Sequence, residues 1–307
     1  LISHAEKVLL KTIGKDRIMS RDIFKLMGLT IKIVGAVVIM VAVGCSVLNA
    51  QERTVVPQGG KTIEAVRADA PPVLDGKLDD ACWQKAQGIT DFLSIDSDTL
   101  ATYQSIGYIC YDDAHLYIGM KCLMPEGVAP GVEKGSEQRK PHDTYVFGDD
   151  IVEIMIDPGH SQTDYYQLVV SAYGSTFDTY RRSGGTQHDP SWNGDWSSGS
   201  YIGEGFWSME MAVPFHNLGI SKNVGSTWGI NLCREAKMPR DELSSMAVNG
   251  AFNNTKSFAV LKGLNVDFSK YFFQIGPAIT RLESGDEQLS ALFTVPIKNM
   301  TGKTMKT

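Results

Sequence analysis

The chain has 307 residues, of which 43% are hydrophobic and 21% charged, a composition typical of globular proteins. Residues 1–50 hold seven Lys or Arg against three Asp or Glu, whereas residues 51–307 hold 22 against 32. The acidic excess of the main part argues against binding to nucleic acid or to an anionic membrane surface, and it is compatible with neutral ligands or with calcium.

The first 50 residues predict upstream residues followed by a signal peptide or lipoprotein leader for export. Basic residues precede an apolar run of 13 residues, 33–45, which is shorter than the about 20 residues of a membrane span and suits a signal peptide. Two endings stay open: Cys45 as the lipidated first residue of a lipoprotein, or cleavage before Gln51. The predicted location is therefore periplasmic, at the cell surface or extracellular.

Short elements follow the leader. Asp75–Gly76 predicts a tight turn, and Asp79 is the expected N-cap of a short helix that carries Cys82 and Trp83. Beyond the helix the pattern is many short strands separated by turns, with a long polar excursion over residues 125–145. An antiparallel β-sandwich of the jelly-roll type with short helical segments is the predicted fold for residues 51–270.

Four cysteines follow the leader, and their spacing matches no zinc site: Cys82, Cys110, Cys122 and Cys233. The segments around the middle two predict a hairpin that turns at residues 112–115. In that hairpin Cys110 faces Tyr117 while Cys122 lies on the opposite face of the sheet, so no disulfide is expected between Cys110 and Cys122.

The stretch 147–179 predicts the central hairpin of the domain. Its first strand alternates buried apolar residues with others that include Glu153, and pairing about residue 160 would place Glu153 opposite Gln167. A carboxylate beside a primary amide on an outward sheet face offers acceptors and donors to a hydroxylated ligand. The alternative is an ordinary solvated sheet face.

Seven sequence blocks over residues 60–265 resemble, in the same order, family 9 carbohydrate-binding modules: LDGKLDDACWQKA, YDDAHLYIGMKC, GDDIVEIMIDP, YYQLVVSAYGSTFD, WSMEMAVPF, GINLCRE and FAVLKGL. The resemblance implies a sandwich that binds a glycan end or a small sugar between two aromatic rings. It also implies structural calcium and attachment to, or association with, a glycoside hydrolase in polysaccharide breakdown.

The resemblance assigns ligand-binding roles to five residues: Phe147, Glu153, Gln167, Asn249 and Phe252. The two phenylalanines stand where the family has tryptophans, so this chain has smaller rings without an indole donor. The arginine that the family places two residues after the amide is Val169 here. If the sugar binds elsewhere on the sandwich, Trp192 and Trp196 are the candidate stacking residues instead.

Calcium is predicted as a structural ion, since paired acidic residues at turns offer oxygen ligands: Asp79–Asp80, Asp112–Asp113 and Asp149–Asp150. Catalytic motifs such as GxSxG and HExxH are absent. Glycoside hydrolysis needs two carboxylates placed across the bound sugar, and Glu153 is the one carboxylate whose position suggests a place beside the ligand. We therefore expect this domain itself to bind without catalysis.

Two other classes stay open. One is a haem- or redox-binding sandwich, for which strand methionines are candidate ligands: Met120, Met155, Met209 and Met211. The other is a structural sandwich without a small ligand. Residues 271–307 predict a linker and the first strand of a following β-domain.

Overall fold

The computed structural model describes residues 61–97, 99–132, 145–221, 224–247, 251–271, 273–275, 279–284 and 289–299. The predicted leader and Asn249 lie outside these residues. Among the described residues, no helix has the length and hydrophobicity needed to cross a membrane.

Among the residues that the structure describes, one α-helix, α1, spans Ala81–Lys85. The strands, in chain order, are β1 (Thr62–Glu64), β2 (Val66–Arg67), β3 (Leu93–Ser94), β4 (Ser105–Tyr111), β5 (His115–Leu123), β6 (Ile151–Asp157), β7 (Tyr165–Ser171), β8 (Thr176–Arg182), β9 (Gln187–Asp189), β10 (Ser197–Gly203), β11 (Phe206–Pro214), β12 (Trp228–Ala236), β13 (Glu242–Ser245), β14 (Ala259–Lys262), β15 (Phe273–Ile275), β16 (Ile279–Ser284), β17 (Leu289–Thr294) and β18 (Ile297–Asn299). Short 3₁₀ turns lie at Phe215–Asn217, Thr255–Ser257 and Phe268–Tyr271.

Two sheets form the sandwich. The nine-stranded sheet has the order β1-β14-β12-β6-β7-β8-β9, with β13 paired to β12 and β3 paired to β13. The five-stranded sheet has the order β10-β11-β5-β4-β2. The pairs β1–β14 and β2–β4 are parallel, and the other pairings in both sheets are antiparallel. The predicted all-β sandwich is confirmed.

The main core lies between the sheets, because alternate residues of each strand point inward. Strand β6 contributes Val152, Ile154 and Ile156, and β11 contributes Trp207 and Met209, all of them fully buried. The outward residues of β6 are buried as well, so a second layer of chain covers this face of the nine-stranded sheet. That covered outer face holds the candidate site.

The helix α1 packs on the outer face of the five-stranded sheet, where Trp83, Cys82, Cys110 and Tyr117 form a small buried cluster. The N-cap is Asp80, so the prediction of Asp79 is wrong by one residue. The Asp80 carboxylate accepts a hydrogen bond from Val73 N at 3.0 Å and gives the helix no side-chain cap. The segment before the helix therefore sets its start.

The cysteine prediction is confirmed in its geometry. Cys110 pairs in register with Tyr117, whereas Cys122 belongs to the main core on the other face of the sheet. The four described cysteines are buried free thiols. No disulfide links Cys110 to Cys122.

The turn before α1 depends on Gly76. Its backbone is left-handed at φ +84°, and an added Cβ would lie 2.5 Å from the backbone of Ser200 and Tyr201. The buried Glu210 side chain accepts hydrogen bonds from Gly76 N at 2.7 Å and from Trp83 Nε1 at 2.8 Å. This turn joins the helix segment to β10 and β11.

Gly76→Ala is therefore expected to lower the free energy of unfolding by at least about 2 kcal/mol, from left-handed strain and backbone overlap together. Chemical denaturation measures the loss. Gly127→Ala is the matched control, because Gly127 is left-handed at φ +73° with nothing within 4 Å of an added Cβ. Equal losses in the two variants would contradict the overlap argument.

The described residues after 271 form four short strands in two separate two-stranded sheets, β15–β18 and β16–β17. The strand β17 lies in the segment for which the sequence predicts the first strand of a following domain. That these residues begin a further domain stays a prediction.

Candidate functional site

The register of the central hairpin differs from the prediction. Glu153 pairs with Val169, and Gln167 pairs with Met155, so the expected direct pairing of Glu153 with Gln167 is wrong. The cause lies in the connection, where the Asp157 carboxylate accepts hydrogen bonds from the backbone of residues 161 and 162 and holds a wider loop. The shift is two residues, so Glu153 and Gln167 still share the outer face.

An open cleft of about 250 Å³ lies on this outer face. It is lined by residues from β6, β7, β8, β12 and β13, by the residue after β3 and by the loop that precedes Thr255: Ile95, Glu153, Met155, Tyr165, Gln167, Arg181, Glu235, Leu243, Ala251, Phe252 and Asn253. Three of the five predicted site residues, Glu153, Gln167 and Phe252, thus lie in one cleft.

A line of hydrogen bonds crosses the sheet through the cleft. Arg181 Nε donates to Gln167 Oε1 at 2.9 Å, and Gln167 Nε2 donates to Glu153 Oε2. Because Arg181 can only donate, the orientation of the Gln167 amide follows from these two contacts. Arg181 pairs in register with Tyr165, two residues from Gln167, and Gln167 pairs with Met155, two residues from Glu153. Each hydrogen bond therefore runs diagonally from one strand to the next.

The line continues from Glu153 to Glu235, whose carboxyl groups are in hydrogen-bond contact. Burial, and then the contact with Glu235, raise the pKa of Glu153 to about 8 against the opposing effects of Gln167 and Arg181. Lys237 Nζ lies 3.2 Å from Glu235 Oε2. The raised pKa favours the protonated form of Glu153 at neutral pH.

Two aromatic clusters flank this polar line on the same face. The Phe147 cluster contains Val146, Phe147, Ile151, Val169 and Phe177. The Phe252 cluster contains Met155, Tyr165, Phe252 and Phe258.

Strand spacing sets the separation of the clusters. On β6, Ile151 belongs to the Phe147 cluster and Met155 to the Phe252 cluster, and Glu153 lies between them. Ile151 and Met155 are four positions apart, or about 13 Å at about 3.3 Å per residue. Phe147 does not line the cleft itself, since its ring packs at 5.4 Å from Phe177 and 5.8 Å from Tyr145. Its cluster neighbour Val169 is the register partner of Glu153.

The loop that carries Phe252 is fixed from below. The buried Asn231 of β12 donates from Nδ2 to the Phe252 carbonyl at 3.1 Å, and its Oδ1 accepts from Ser245 Oγ at 2.7 Å. Thr255 Oγ1 donates to the Gln162 carbonyl at 2.6 Å. The ring is therefore held at the edge of the cleft by the sheet beneath it.

The structure places the predicted residues unevenly. Glu153 is 3% exposed and Gln167 5%, so this part of the face is not the solvated sheet face of the alternative reading. Asn249 lies outside the described residues. The sequence reasoning missed Arg181 and Glu235. The two-residue repeat of each strand places both side chains on the outer face. That repeat could have identified them only if the neighbouring strands had been known.

The tryptophan alternative does not fit this cleft. Trp192 packs against Tyr166 with ring centroids 4.9 Å apart, and Trp196 Nε1 donates to Asp178 Oδ2 at 2.7 Å. Tyr166 and Asp178 point to the face opposite Gln167 and Arg181, because side chains alternate along a strand. Both tryptophans cover the main core.

The methionines proposed as haem ligands do not converge on a cavity. Met120, Met209 and Met211 are fully buried in the main core, where Met120 and Met209 are register partners. Met155 lies on the outer face in the Phe252 cluster. The four side chains serve as packing, which is the usual role of methionine on strands.

The carboxylates of two of the described acidic pairs accept hydrogen bonds from backbone N–H groups. Asp112 Oδ1 accepts from the backbone of Ala114 and His115, each at 2.7 Å, and Asp150 Oδ2 accepts from Gly131 N at 2.5 Å. Within the described residues, no three His, Cys, Asp or Glu side chains gather at one point. These carboxylates therefore stabilise turns, and no calcium ligand is assigned among them.

The carboxyl pair also lacks the spacing of a glycosidase. Retaining and inverting enzymes hold their two carboxyl groups at least about 5 Å apart, across the bound sugar. The Glu153 and Glu235 carboxyl groups contact each other directly. The cleft can hold and orient a hydroxylated ligand, but this pair cannot bracket a glycosidic bond.

A larger cleft, of about 500 Å³, is lined by residues 127–132, Gly148, Lys237 and Met238. Its lining is mostly backbone and small apolar side chains, with Lys237 as the charged residue. It offers no convergent polar groups, so we do not take it as the site.

The model of the carbohydrate family 9 binding domain-like family matches residues 74–262, which is more than half of the chain. The chain belongs to this family, and the resemblance drawn from the sequence blocks is confirmed.

Two similar solved structures are of a family 9 carbohydrate-binding module from Caldicellulosiruptor kristjanssonii. The complex with glucose is 16% identical, with a TM-score of 0.47, and covers 66% of this chain and 95% of the module. The complex with cellotriose is 17% identical, with a TM-score of 0.46, and covers 68% of this chain and 97% of the module. No curated protein matches the chain.

Proposed function

We propose that this sandwich binds carbohydrate without catalysis, and that the cleft beside Glu153 and Gln167 takes a small sugar or a glycan end. The observation that supports this most is the line of polar groups between two aromatic clusters on one sheet face. Family membership supports the same class of ligand.

The chemistry of the cleft suits a pyranose. Such a ring has an apolar C–H face that stacks on an aromatic ring, and hydroxyl groups around its edge that both donate and accept. Phe252 offers the aromatic ring, Arg181 offers donors, and the carboxyls of Glu153 and Glu235 offer acceptors. Donors and acceptors in one cleft match hydroxyl groups better than they match a purely apolar ligand.

Calorimetric titration of the full chain with glucose and with cellotriose tests the proposal. We expect saturable binding of at least one of them, at one site per chain. A pull-down on soluble and insoluble polysaccharides extends the test to longer glycans. If neither sugar binds and no polysaccharide retains the protein, the proposed function is wrong.

We further propose that the domain is exported and supports polysaccharide breakdown as part of, or together with, a glycoside hydrolase. The support is the leader-like sequence of residues 1–50. Incorporation of labelled fatty acid, lost in Cys45→Ser, would distinguish a lipoprotein from a freely secreted protein. Recovery of the protein in the cytoplasm alone would contradict export.

Structural calcium stays a proposal that rests on the turn aspartates in the sequence. A melting curve recorded with and without a chelator tests it. An unchanged melting temperature would exclude a stabilising calcium ion.

A further inference from the structure

We propose that Cys82 of α1 and Cys110 of β4 form a disulfide by exchange with an oxidised dithiol or with glutathione disulfide, and that this bond ties the helix to the five-stranded sheet. In the structure both residues are free thiols. The pair lies on the sheet that does not carry the sugar cleft, so the disulfide is independent of the proposed function.

The two thiol groups are held against each other. Cys110 Sγ donates to the carbonyl oxygen of Cys82 at 3.2 Å, and the two thiols are in hydrogen-bond contact. Both side chains belong to the small buried cluster between α1 and the outer face of the sheet. Cysteines whose side chains point at each other meet the first geometric requirement of a disulfide.

The other two described cysteines have different neighbours. Cys122 lies in the main core, where its sulfur accepts a hydrogen bond from Ser105 Oγ at 3.7 Å. Cys233 lies in the nine-stranded sheet, and its thiol is in hydrogen-bond contact with Ser245. Within the described part of the chain, Cys82 and Cys110 are therefore the two thiols that oxidation can join without rearranging the fold.

A covalent link would supply a hold that α1 lacks by itself. The helix has five residues, and its N-cap residue Asp80 makes no side-chain cap. Helices shorter than about 12 residues are marginal in water, so α1 depends on its contacts with the sheet. A disulfide joins positions 28 apart in the chain and lowers the freedom of the unfolded state, which stabilises the docked helix.

The two thiols have different roles in the exchange. Burial raises the pKa of both, and their mutual contact lowers the pKa of Cys82 while it raises that of Cys110. Cys82 is also 4% exposed whereas Cys110 is fully buried. Cys82 is therefore the first nucleophile, and Cys110 is the resolving thiol.

The exchange balances in two steps. The Cys82 thiolate attacks one sulfur of the oxidant, forms a mixed disulfide and releases the other sulfur as a thiol. The Cys110 thiolate then attacks the Cys82 sulfur and releases the first sulfur as a second thiol. The cysteines lose two protons and two electrons, which the oxidant takes up. Compartments outside the cytosol supply such oxidants, in agreement with the proposed export.

Peptide mapping of the full chain tests the link. Trypsin cleaves after lysine, which places Cys82 in peptide 78–85, Cys110 in peptide 86–121 and Cys122 in peptide 122–134. The protein is incubated in a mixture of reduced and oxidised glutathione, both folded and during refolding, and the remaining thiols are blocked before digestion. We expect peptides 78–85 and 86–121 to be joined by a bond that a reductant breaks, and peptide 122–134 to be blocked and unlinked.

Melting curves of oxidised and reduced samples measure the consequence. The oxidised wild type should melt at least about 5 °C higher than the reduced wild type. The difference should vanish in Cys82→Ser and in Cys110→Ser, and it should persist in the control Cys122→Ala. Because the difference is taken within each variant, the cost of the substitution itself cancels.

Peptides 78–85 and 86–121 that stay separate in both incubations would overturn the inference, as would a bond from Cys110 to any other cysteine. A melting difference that survives in Cys82→Ser would show that it has another source, and the stabilising role would be wrong. Glucose affinity should be equal in oxidised and reduced wild type. Failure of every sample to bind sugar would contradict the proposed function and leave the disulfide standing.

Discussion

Phe252→Ala is expected to weaken sugar binding at least about tenfold while the domain stays folded, and Phe147→Ala to weaken it less, because Phe147 does not line the cleft. Removing a stacking ring from a desolvated site typically costs about 1–3 kcal/mol. Phe147 belongs to one of the two aromatic clusters that flank Glu153, and Phe252 belongs to the other. Both rings are only partly buried, so their removal opens no large cavity in the main core.

Titration with glucose and cellotriose measures the loss, and a melting curve of each variant checks the fold. Tyr201→Ala is the control, because Tyr201 is 40% exposed on β10 of the other sheet. Its affinity should match that of wild type. If Phe252→Ala loses affinity and Phe147→Ala does not, the site has one stacking ring and the sandwiching arrangement is wrong. Unchanged affinity in both variants would exclude this cleft as the sugar site.

The fold followed from local patterns in the sequence. Strict alternation in β6 and β11 separates inward residues such as Ile154 and Met209 from outward ones, and this pattern depends only on the two-residue repeat of a strand. The Asp75–Gly76 turn likewise depends on a local requirement, the positive φ of Gly76. Such signals need no knowledge of which strands are neighbours.

The site depended on long-range information that the pattern lacks. Glu153, Gln167 and Phe252 were identified through family blocks, whereas Arg181 and Glu235 stand in the cleft because β8 and β12 lie one strand beyond β7 and β6. The register of the hairpin was wrong by two residues because the loop bonds to Asp157 are tertiary detail. The burial of Glu153 also could not be read from alternation, which gives the face of a residue but not what covers it.

Glu153→Gln is expected to change stability and binding in a pH-dependent way. The pKa of Glu153 is raised in the folded protein, from its usual 4.5 to about 8, chiefly by burial and then by Glu235, against the opposing effects of Gln167 and Arg181. A raised carboxyl pKa favours folding in the protonated form. Its contribution is therefore complete below about pH 4.5 and is lost as the pH rises through about 8.

The amide of the variant has the shape of the protonated acid and does not titrate. Between about pH 5 and about pH 9 the melting temperature of wild type should therefore fall more steeply than that of Glu153→Gln, leaving the variant more stable at the upper end. Glu204→Gln, at an exposed position before β11, should keep the wild-type slope. Parallel curves for wild type and Glu153→Gln would show that Glu153 does not carry the proton.

Binding should respond in the opposite sense, because a sugar hydroxyl donates more strongly to a carboxylate than to a neutral acid or amide. Near about pH 6 the affinities of wild type and Glu153→Gln for glucose should be similar, and by about pH 9 wild type should bind several-fold more tightly. Neither protein should hydrolyse cellotriose, since Glu153 contacts Glu235 directly instead of facing it across a sugar. Turnover by wild type that is lost in Glu153→Gln would make Glu153 a catalytic carboxylate, and equal affinities at every pH would remove it from the ligand site.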